Sequence, residues 1–419
     1  MTDLSILIPA RNEMFLAKTI EDILEHMEAD TEVIAVMDGE WASDRVPQHD
    51  RVNVIKLSES VGQRAATNLA CKLSKAKYVM KVDAHCSFDQ GFDRKMLETF
   101  SMTSDNVTMV PVMRNLWAFD WKCYHCGWKK YQGPTPEKCE QCGKSDKIRR
   151  KIVWKGKSNP QSTSYCFDPT PHFQYFEDWK HRVPYIKEKE EKGITETMSL
   201  QGSCFMLTRK KYWDLDISEE NFGGWGSQGI EVACKTWLSG GRVLVNHKTW
   251  YAHMFRTQGG DFSFPYPMSG QAQEKAKNYA RELFFKNKWP KQIYSLSWLV
   301  EKFWPVKGWT DKDLKILKKY DTNFSNAETE ILKKEKVPIG IEKLSENYHK
   351  YSEMDKDSNV IQIFGGKRRI LLDVVDRSKE LPNNSPRKSG TFFSIDASKG
   401  IIYYADEDLN LKILIEKSE

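Results

Sequence analysis

The sequence predicts an α/β fold on a largely parallel sheet, interrupted by an inserted cysteine-rich module and followed by a helical and β appendage. Three observations carry this. Residues 1–112 alternate short apolar runs with amphipathic stretches of ten to fifteen residues, the rhythm of strand–helix–strand units whose crossovers make neighbouring strands parallel. Residues 114–165 break the rhythm with two Cys-x-x-Cys pairs and a block of basic side chains. From about 355 the pattern returns as short runs of alternating apolar and polar residues without intervening helices. The corresponding boundaries are 1–310 for the main domain, 117–160 for the insertion within it and 311–419 for the appendage.

Leu4 to Pro9 is a short apolar run halted by proline, the pattern of a buried strand. A helix follows from Glu13 to Met27, with Leu16, Ile20, Ile23, Leu24 and Met27 on one face. Thr31–Met37 is β-rich and ends in Asp38-Gly39; Val52–Leu57 is a second such run, and Gly62 opens a helix through Leu73. Tyr78–Val82 reads as a fourth strand ending at Asp83-Ala-His85, followed by a helix at Phe92–Phe100 and a strand at Val107–Val112. After the insertion, Ser199–Thr208 is strand-like, Glu231–Leu238 helical and Arg242–Asn246 a strand. Ala272–Asn287, Ile293–Phe303 and Asp311–Tyr320 are helical, and a Lys/Glu-rich linker near 321–358 leads to the appendage. In sheets of this kind ligands bind outside the carboxyl ends of the strands, so Asp38 and Asp83–His85 stand where chemistry is expected.

Composition excludes several classes. With 40% hydrophobic residues, 14 Trp and 20 Phe, the chain buries a core and is not disordered. Its apolar runs fall short of the roughly 18 residues a membrane span needs, and the N-terminus lacks a basic segment and cleavage signal. The expectation is a soluble protein of the cytoplasm, or of the host cytoplasm if viral, with no membrane partner. The formal net charge of +6 is unevenly spread: residues 121–160 hold eleven basic side chains against three acids, whereas 311–419 balance at twenty of each. The insertion therefore carries the positive field and implies an acidic partner, although a solvated charged loop has the same composition.

Of nine cysteines, four form Cys123-Tyr-His-Cys126-Gly127 and Cys139-Glu-Gln-Cys142-Gly143. Two such pairs can set four thiolates tetrahedrally around one Zn2+, and the glycine after each permits the tight turn that aims backbone N–H groups at sulfur. Four sulfurs close the coordination sphere, so this zinc folds a ribbon rather than performing catalysis. A redox dithiol is the other reading, but that motif ordinarily works singly beside a βαβ unit. At Asp83-Ala-His85 the two side chains project the same way from a strand end and can share a divalent cation, with His253 available as a third ligand. Taken alone, such a pair also describes ordinary turn residues.

Five segments combine into something more specific: Ile6-Leu-Ile-Pro-Ala-Arg-Asn-Glu13, Val61-Gly-Gln-Arg-Ala-Ala-Thr-Asn68, Val82-Asp-Ala-His85, Gly223-Gly-Trp-Gly-Ser-Gln-Gly-Ile-Glu231 and Ala252-His-Met-Phe-Arg256. In this order, across about residues 3–260, they resemble family 2-type glycosyltransferases of the GT-A fold. The pattern is similar to that of the polypeptide N-acetylgalactosaminyltransferases, which carry Asp-Ser-His and a later His-Val-Phe-Arg. The resemblance implies Mn2+ (or Mg2+) on Asp83, His85 and His253, gripping the diphosphate of a UDP-sugar. It implies that Pro9, Ala10, Arg11, Glu13 and Asp38 line the base and ribose, that Gly62 borders the donor, and that Arg64 and Arg256 help neutralise the leaving group. Asp38 alone would equally be a turn residue before Gly39, and Arg11 and Glu13 a helix-start cap. By the same resemblance a mobile loop at Phe262–Pro267 closes over the donor, with Gly259-Gly260 as its hinge; a packed connector is the plainer reading.

One departure bears on mechanism. Inverting relatives place a Gly-Glu-Asp carboxylate pair where this chain has Gln228 and Gly229, neither able to act as a general base. The reading is retention of anomeric configuration, with an inverting base such as Glu231 as the alternative. Gln228 would then contact a sugar hydroxyl, and Trp225 would wall the sugar or acceptor if it is not a core aromatic. The resemblance extends to bacteriophage-type enzymes that glycosylate hydroxymethylated pyrimidines in DNA. The basic insertion, with Trp121, Tyr124, Trp128 and Tyr131, suits a phosphate backbone and stacking bases. Protein Ser/Thr and cell-surface polymers are the other acceptors. Two further classes compete: a non-catalytic zinc-ribbon nucleic-acid-binding protein on a GT-A scaffold, and a nucleotidyltransferase.

Overall fold

A computed structural model describes residues 2–40, 45–266 and 270–321, together with the backbone of six strands between 351 and 415. The first half alternates β1 (Leu4–Ala10), α1 (Leu16–His26), β2 (Thr31–Asp38), β3 (Val52–Leu57), α2 (Gln63–Leu73), β4 (Tyr78–Val82), β5 (Cys86–Phe88) and α3 (Phe92–Ser101). A long hairpin follows, β6 (Val107–Cys123) and β8 (Ile148–Ser162), with the short β7 (Lys129–Tyr131) at its tip. Then come β9 (Tyr165–Phe167), β10 (Phe173–Tyr175), α4 (Val183–Lys192), β11 (Ile194–Glu196), β12 (Cys204–Thr208), α5 (Arg209–Asp214), α6 (Gln228–Leu238) and β13 (Arg242–His253). α7 (Gly270–Ala280), α8 (Leu296–Lys302) and α9 (Asp311–Lys318) close this part of the chain.

The main sheet runs β11-β13-β6-β12-β4-β1-β2-β3. β1, β2, β3 and β4 are parallel and β6 runs parallel to β13, but β12 lies antiparallel between β4 and β6. The sheet is therefore mixed at its centre. The alternation of β1 explains how it is clamped: Leu4, Ile6 and Ile8 enter the core shared with α1 and α3, while Leu7 enters the opposite core with α2 and α6. All four are fully buried, each contributing about 1.5–3 kcal/mol of transfer free energy.

Several boundaries differ from the sequence reading; the strand expected at Ser199–Thr208 spans only Cys204–Thr208, and the helix expected from Glu231 begins at Gln228. α1 begins at Leu16 rather than Glu13, because Asn12 takes a left-handed φ of 43° and turns Glu13 inward. The strand expected at Val107–Val112 continues for 17 residues to Cys123, so the insertion grows from the sheet. Three appendage strands, β14 (Tyr351–Met354), β15 (Val360–Gly365) and β16 (Arg368–Asp373), extend the main sheet, β16 lying antiparallel to β3. β17 (Phe393–Asp396), β18 (Ile401–Ala405) and β19 (Leu411–Ile415) form a separate three-stranded sheet. Most of the linker near 321–358 lies outside the described residues. Among the described residues no helix is long and apolar enough to cross a membrane.

Candidate active site

Asp83 and His85 leave the end of β4, and β13 brings His253 beside them through its pairing with β5, where His253 stands opposite Cys86. The Nε2 atoms of His85 and His253 are 3.0 Å apart, and Asp83 Oδ2 lies 3.3 Å from His253 Nε2. One donor atom from each of the three residues falls within 4.8 Å of the others. Two imidazole nitrogens at that separation compete for one proton, whereas a cation between them accepts both lone pairs. Both rings are buried, and His253 Nδ1 is buried without a hydrogen-bond partner. Two imidazoles and a carboxylate form a donor set suited to a divalent cation, with positions left for further oxygen ligands.

Charges around this cluster are balanced by residues that local sequence does not single out. Burial alone would push the Asp83 carboxyl up, but the Lys81 ammonium, with His253 and His85 beside it, holds it well below the usual range. Lys81 is two residues earlier on β4, so it projects to the same side; its ammonium pairs with Asp83 and donates to the Gly202 carbonyl at 2.8 Å. A lysine inside an otherwise apolar strand was the available signal. Burial drives His253 below its ordinary value, opposed by its hydrogen bond with Asp83.

Glu13 is placed differently from the expected nucleotide contact. It is 1% exposed, accepts from His85 Nδ1 at 2.9 Å, and meets Arg256 Nη1 at 3.1 and 3.2 Å. The carboxylate thus fixes the His85 ring and directs its Nε2 toward His253, the arrangement by which outer carboxylates orient metal-binding histidines. Arg256, expected at the leaving group, has its charge engaged by Glu13 and its Nη2 turned to the Asp261 carbonyl at 3.5 Å; its Nε is buried and unpartnered. In this conformation its guanidinium faces Glu13.

Asp38 is fully buried at the end of β2 and accepts from Val61 N at 2.6 Å, Gly62 N at 2.9 Å and Ser60 Oγ at 2.9 Å. It shapes the loop before α2 instead of presenting a free carboxylate to a ribose. Gly62, at φ 95°, rests against Gly224, and Gln63 N donates to the Gly224 carbonyl at 3.2 Å. Pro9 and Ala10 end β1 beside Val36 and Met37, while Arg11 is partly exposed and pairs with Glu40. Gln63, the first residue of α2, brings its Nε2 to 3.5 Å from Asp83 Oδ1, so the loop that Asp38 shapes borders the cation ligands.

The segment 223–231 overturns two expectations. Glu231 is fully buried, paired with the equally buried Arg64, 3.2 Å from Lys235 Nζ, and accepts from Glu219 N at 2.8 Å. It cannot reach an acceptor hydroxyl, and Arg64 cannot reach a diphosphate; the guanidinium also donates to the Gly226 carbonyl at 2.5 Å and lies over Phe222. Gln228, expected at a sugar hydroxyl, is 7% exposed and donates to Ser218 Oγ at 3.2 Å. Gly229 packs against β12's approach so closely that a Cβ would sit 2.0 Å from the Leu200 carbonyl oxygen, so a carboxylate is excluded there by space. Trp225 is half-buried, with its ring 5.6 Å from that of Phe264. Pro267, at the end of the expected closing loop, lies outside the described residues.

At the hairpin tip Cys123, Cys126, Cys139 and Cys142 gather their sulfurs within 4.8 Å, with Cys123–Cys142 at 3.7 Å and Cys126–Cys139 at 3.5 Å. Thiolates at tetrahedral vertices about 2.3 Å from Zn2+ are separated by about 3.8 Å. Gly127 and Gly143 take φ of 79° and 73°, and their N–H groups donate to the Cys123 and Cys139 carbonyls at 2.9 Å, closing the turn after each pair.

Residues 5–151 match the glycosyl transferase family 2 model. The chain carries a glycosyl transferase family 2 domain. It is similar to polypeptide N-acetylgalactosaminyltransferase 3 of Mus musculus, 22% identical over 288 residues, covering 66% of this chain and 40% of that protein. It is also similar to human N-acetylgalactosaminyltransferase 7, 26% identical over 108 residues, covering 25% of this chain and 16% of that protein. The chain spans about half the length, or less, of the curated relatives it matches. Among solved structures, GalNAc-T7 with UDP, GalNAc and Mn2+ superposes with a TM-score of 0.50 at 13% identity, covering all of this chain and 72% of that one. The fold around the family 2 domain is thus a mixed α/β, GT-A-like one.

Proposed function

We propose that the chain is a divalent-cation-dependent glycosyltransferase that moves a sugar from a UDP-sugar to a hydroxyl of a macromolecular acceptor. The single observation that carries this is the convergence of Asp83, His85 and His253 at the carboxyl edge of the sheet, the first two within the residues that match glycosyl transferase family 2. These residues would hold Mn2+ or Mg2+, which when bound neutralises the charge developing on a departing diphosphate. Glu13 holds His85 in register, Lys81 keeps Asp83 ionised, and the rim of Pro9, Ala10, Arg11 and Gly62 receives the nucleotide. The similar GalNAc-T7 structure contains UDP, GalNAc and Mn2+, which supports this donor and metal. We assign retention of configuration, because the segment 226–231 offers no carboxylate free to deprotonate an acceptor: position 229 has no room for one, and Glu231 is committed to Arg64 and Lys235.

The four cysteines would hold a structural Zn2+ that folds the hairpin tip. The surplus of basic residues over 121–160 favours a polyanionic acceptor, and a hydroxymethylated pyrimidine in DNA fits both that charge and a transferable hydroxyl. Similarity to the polypeptide N-acetylgalactosaminyltransferases favours a second reading, transfer to protein Ser or Thr. Incubation with Mn2+, a panel of UDP-sugars and each acceptor decides between them: mass spectrometry would find a hexose or N-acetylhexosamine on hydroxymethylated DNA under the first reading and on peptide under the second. UDP release with neither product, and none without metal, would leave the metal-dependent donor chemistry standing and both acceptors refuted.

A further inference from the structure

We infer that the chain holds a second binding site, a basic and aromatic groove for a single-stranded polynucleotide, on the face of the sheet turned away from the cation ligands. On β13, Trp250 and Ala252 project opposite to Tyr251 and His253. Under Trp250 the β8 backbone comes in close: a Cβ on Gly156 would lie 2.7 Å from the indole and 3.2 Å from Ala252 Cβ. Two cavities of about 930 and 530 Å3 open there side by side, with Arg114, Pro160 and Trp250 lining both.

The two ends differ in chemistry. The larger is walled by Trp117, Trp154 and Trp250, all half-buried, so each offers part of an indole to the groove. Two of these rings are fixed by carboxylates: Trp117 Nε1 donates to Asp120 at 2.9 Å, and Trp154 Nε1 donates at 3.0 Å to Asp22, the carboxylate that lines this end. Arg114 lies 4.5 Å over the Trp250 ring, and Lys155 and Lys157 stand on the same wall. The smaller end adds Lys180, Lys189 and Lys248 with Thr163 and His247, and no carboxylate lines it. Among these cations Lys180 is paired, with Glu177 at 2.7 Å; among the described residues Arg114, Lys155, Lys157, Lys189 and Lys248 have no carboxylate in ion-pair contact.

Cations alone would fit any polyanion, and tryptophans alone a neutral sugar chain. Unneutralised cations interleaved with rigid indoles fit a strand that offers phosphates and unpaired flat bases at alternating positions. A duplex hides those faces, so the tryptophans select an unpaired strand. Because the groove faces away from Asp83 and His253, it would hold nucleotides flanking the modified one rather than the reacting hydroxyl. The inference deepens the DNA reading of the acceptor and rests on it for the kind of polymer.

The test is fluorescence anisotropy of the full chain with a labelled 15-nucleotide oligothymidine, for wild type, Lys155→Glu/Lys248→Glu and Trp117→Ala, after equal thermal midpoints show that the variants fold. The double charge reversal should weaken binding at least tenfold and flatten the log–log salt slope by about 1.4, the share of two single-strand phosphate contacts. Trp117→Ala should weaken it about fivefold, the share of one stacked base. Unchanged affinity in the double variant overturns the groove, and inorganic polyphosphate binding as tightly, with no effect of Trp117→Ala, overturns its nucleotide chemistry. Groove-dependent oligonucleotide binding without sugar transfer to hydroxymethylated DNA upholds the groove and refutes the acceptor. Transfer at wild-type KM in the double variant does the reverse.

Discussion

The carboxylate of Asp261 accepts from both the backbone N–H and the hydroxyl of Thr135, joining the loop after Arg256 to the cysteine-bearing hairpin tip. Gly260 also lies against Pro134, and Phe262 shares a core with Phe119, Trp121, Cys123 and Cys139. That core includes Phe15 and Met254, immediate neighbours of the segments holding Glu13 and His253. The tip is therefore not an independent module hung beside the site. Asp261→Ala should raise the KM for the sugar donor by about tenfold, the share of one to two hydrogen bonds, and chelating the Zn2+ proposed for the four cysteines should impair donor and acceptor use together. Steady-state kinetics check this; loss of acceptor use with an unaltered donor KM would contradict it.

The buried Arg64–Glu231 pair is a structural element. Removing one partner leaves an uncompensated charge in the interior, so Glu231→Gln should lower stability by about 3 kcal/mol while the folded enzyme keeps its turnover. Denaturant unfolding and initial rates measured in parallel separate this from a general base, for which stability would hold and kcat would collapse.

Glu13 predicts a distinct signature. Glu13→Gln should weaken Mn2+ binding by about 10–100-fold, as loss of an outer-shell carboxylate does. Calorimetric titration with the metal alone reads this directly, and unaltered metal affinity with a raised donor KM would instead restore Glu13 to the nucleotide.

Lys211 gives a pH dependence remote from the site. Burial lowers its ammonium to about 7, its hydrogen bond going to the neutral Asn106 Oδ1 at 2.9 Å. Between that value and the ordinary ~10.4 the unfolded chain binds the extra proton, so this residue's contribution to stability rises with pH across the window. Below about 7 the penalty is fully present. Lys211→Met should therefore raise the thermal midpoint by several degrees at pH 6.5 and by little at pH 10; an equal gain at both would refute the assignment.

What the sequence made legible follows from the range of each signal. Apolar period and turn residues are local, and they located β1 to β4, α1 to α3 and the strand ends bearing Asp38 and Asp83. The Asp83, His85 and His253 set was legible because two members are adjacent on one strand end and the third lies in a recognisable motif. The partner of Glu231 was not, since Arg64 is 167 residues away and nothing local marks a buried pair. Glu13 was misplaced for a similar reason: its inward course depends on one left-handed residue, Asn12. In β6 the apolar run Leu116–Phe119 was itself a strand signal, masked by the cysteines and charge that follow it.

The most direct test of the account is UDP release from a UDP-sugar with and without Mn2+, comparing wild type with His253→Ala and Asp83→Ala. The account predicts metal-dependent release in the wild type and at least a hundredfold loss in both variants, with folding preserved. Release that persists without metal, or that survives either substitution, would contradict it.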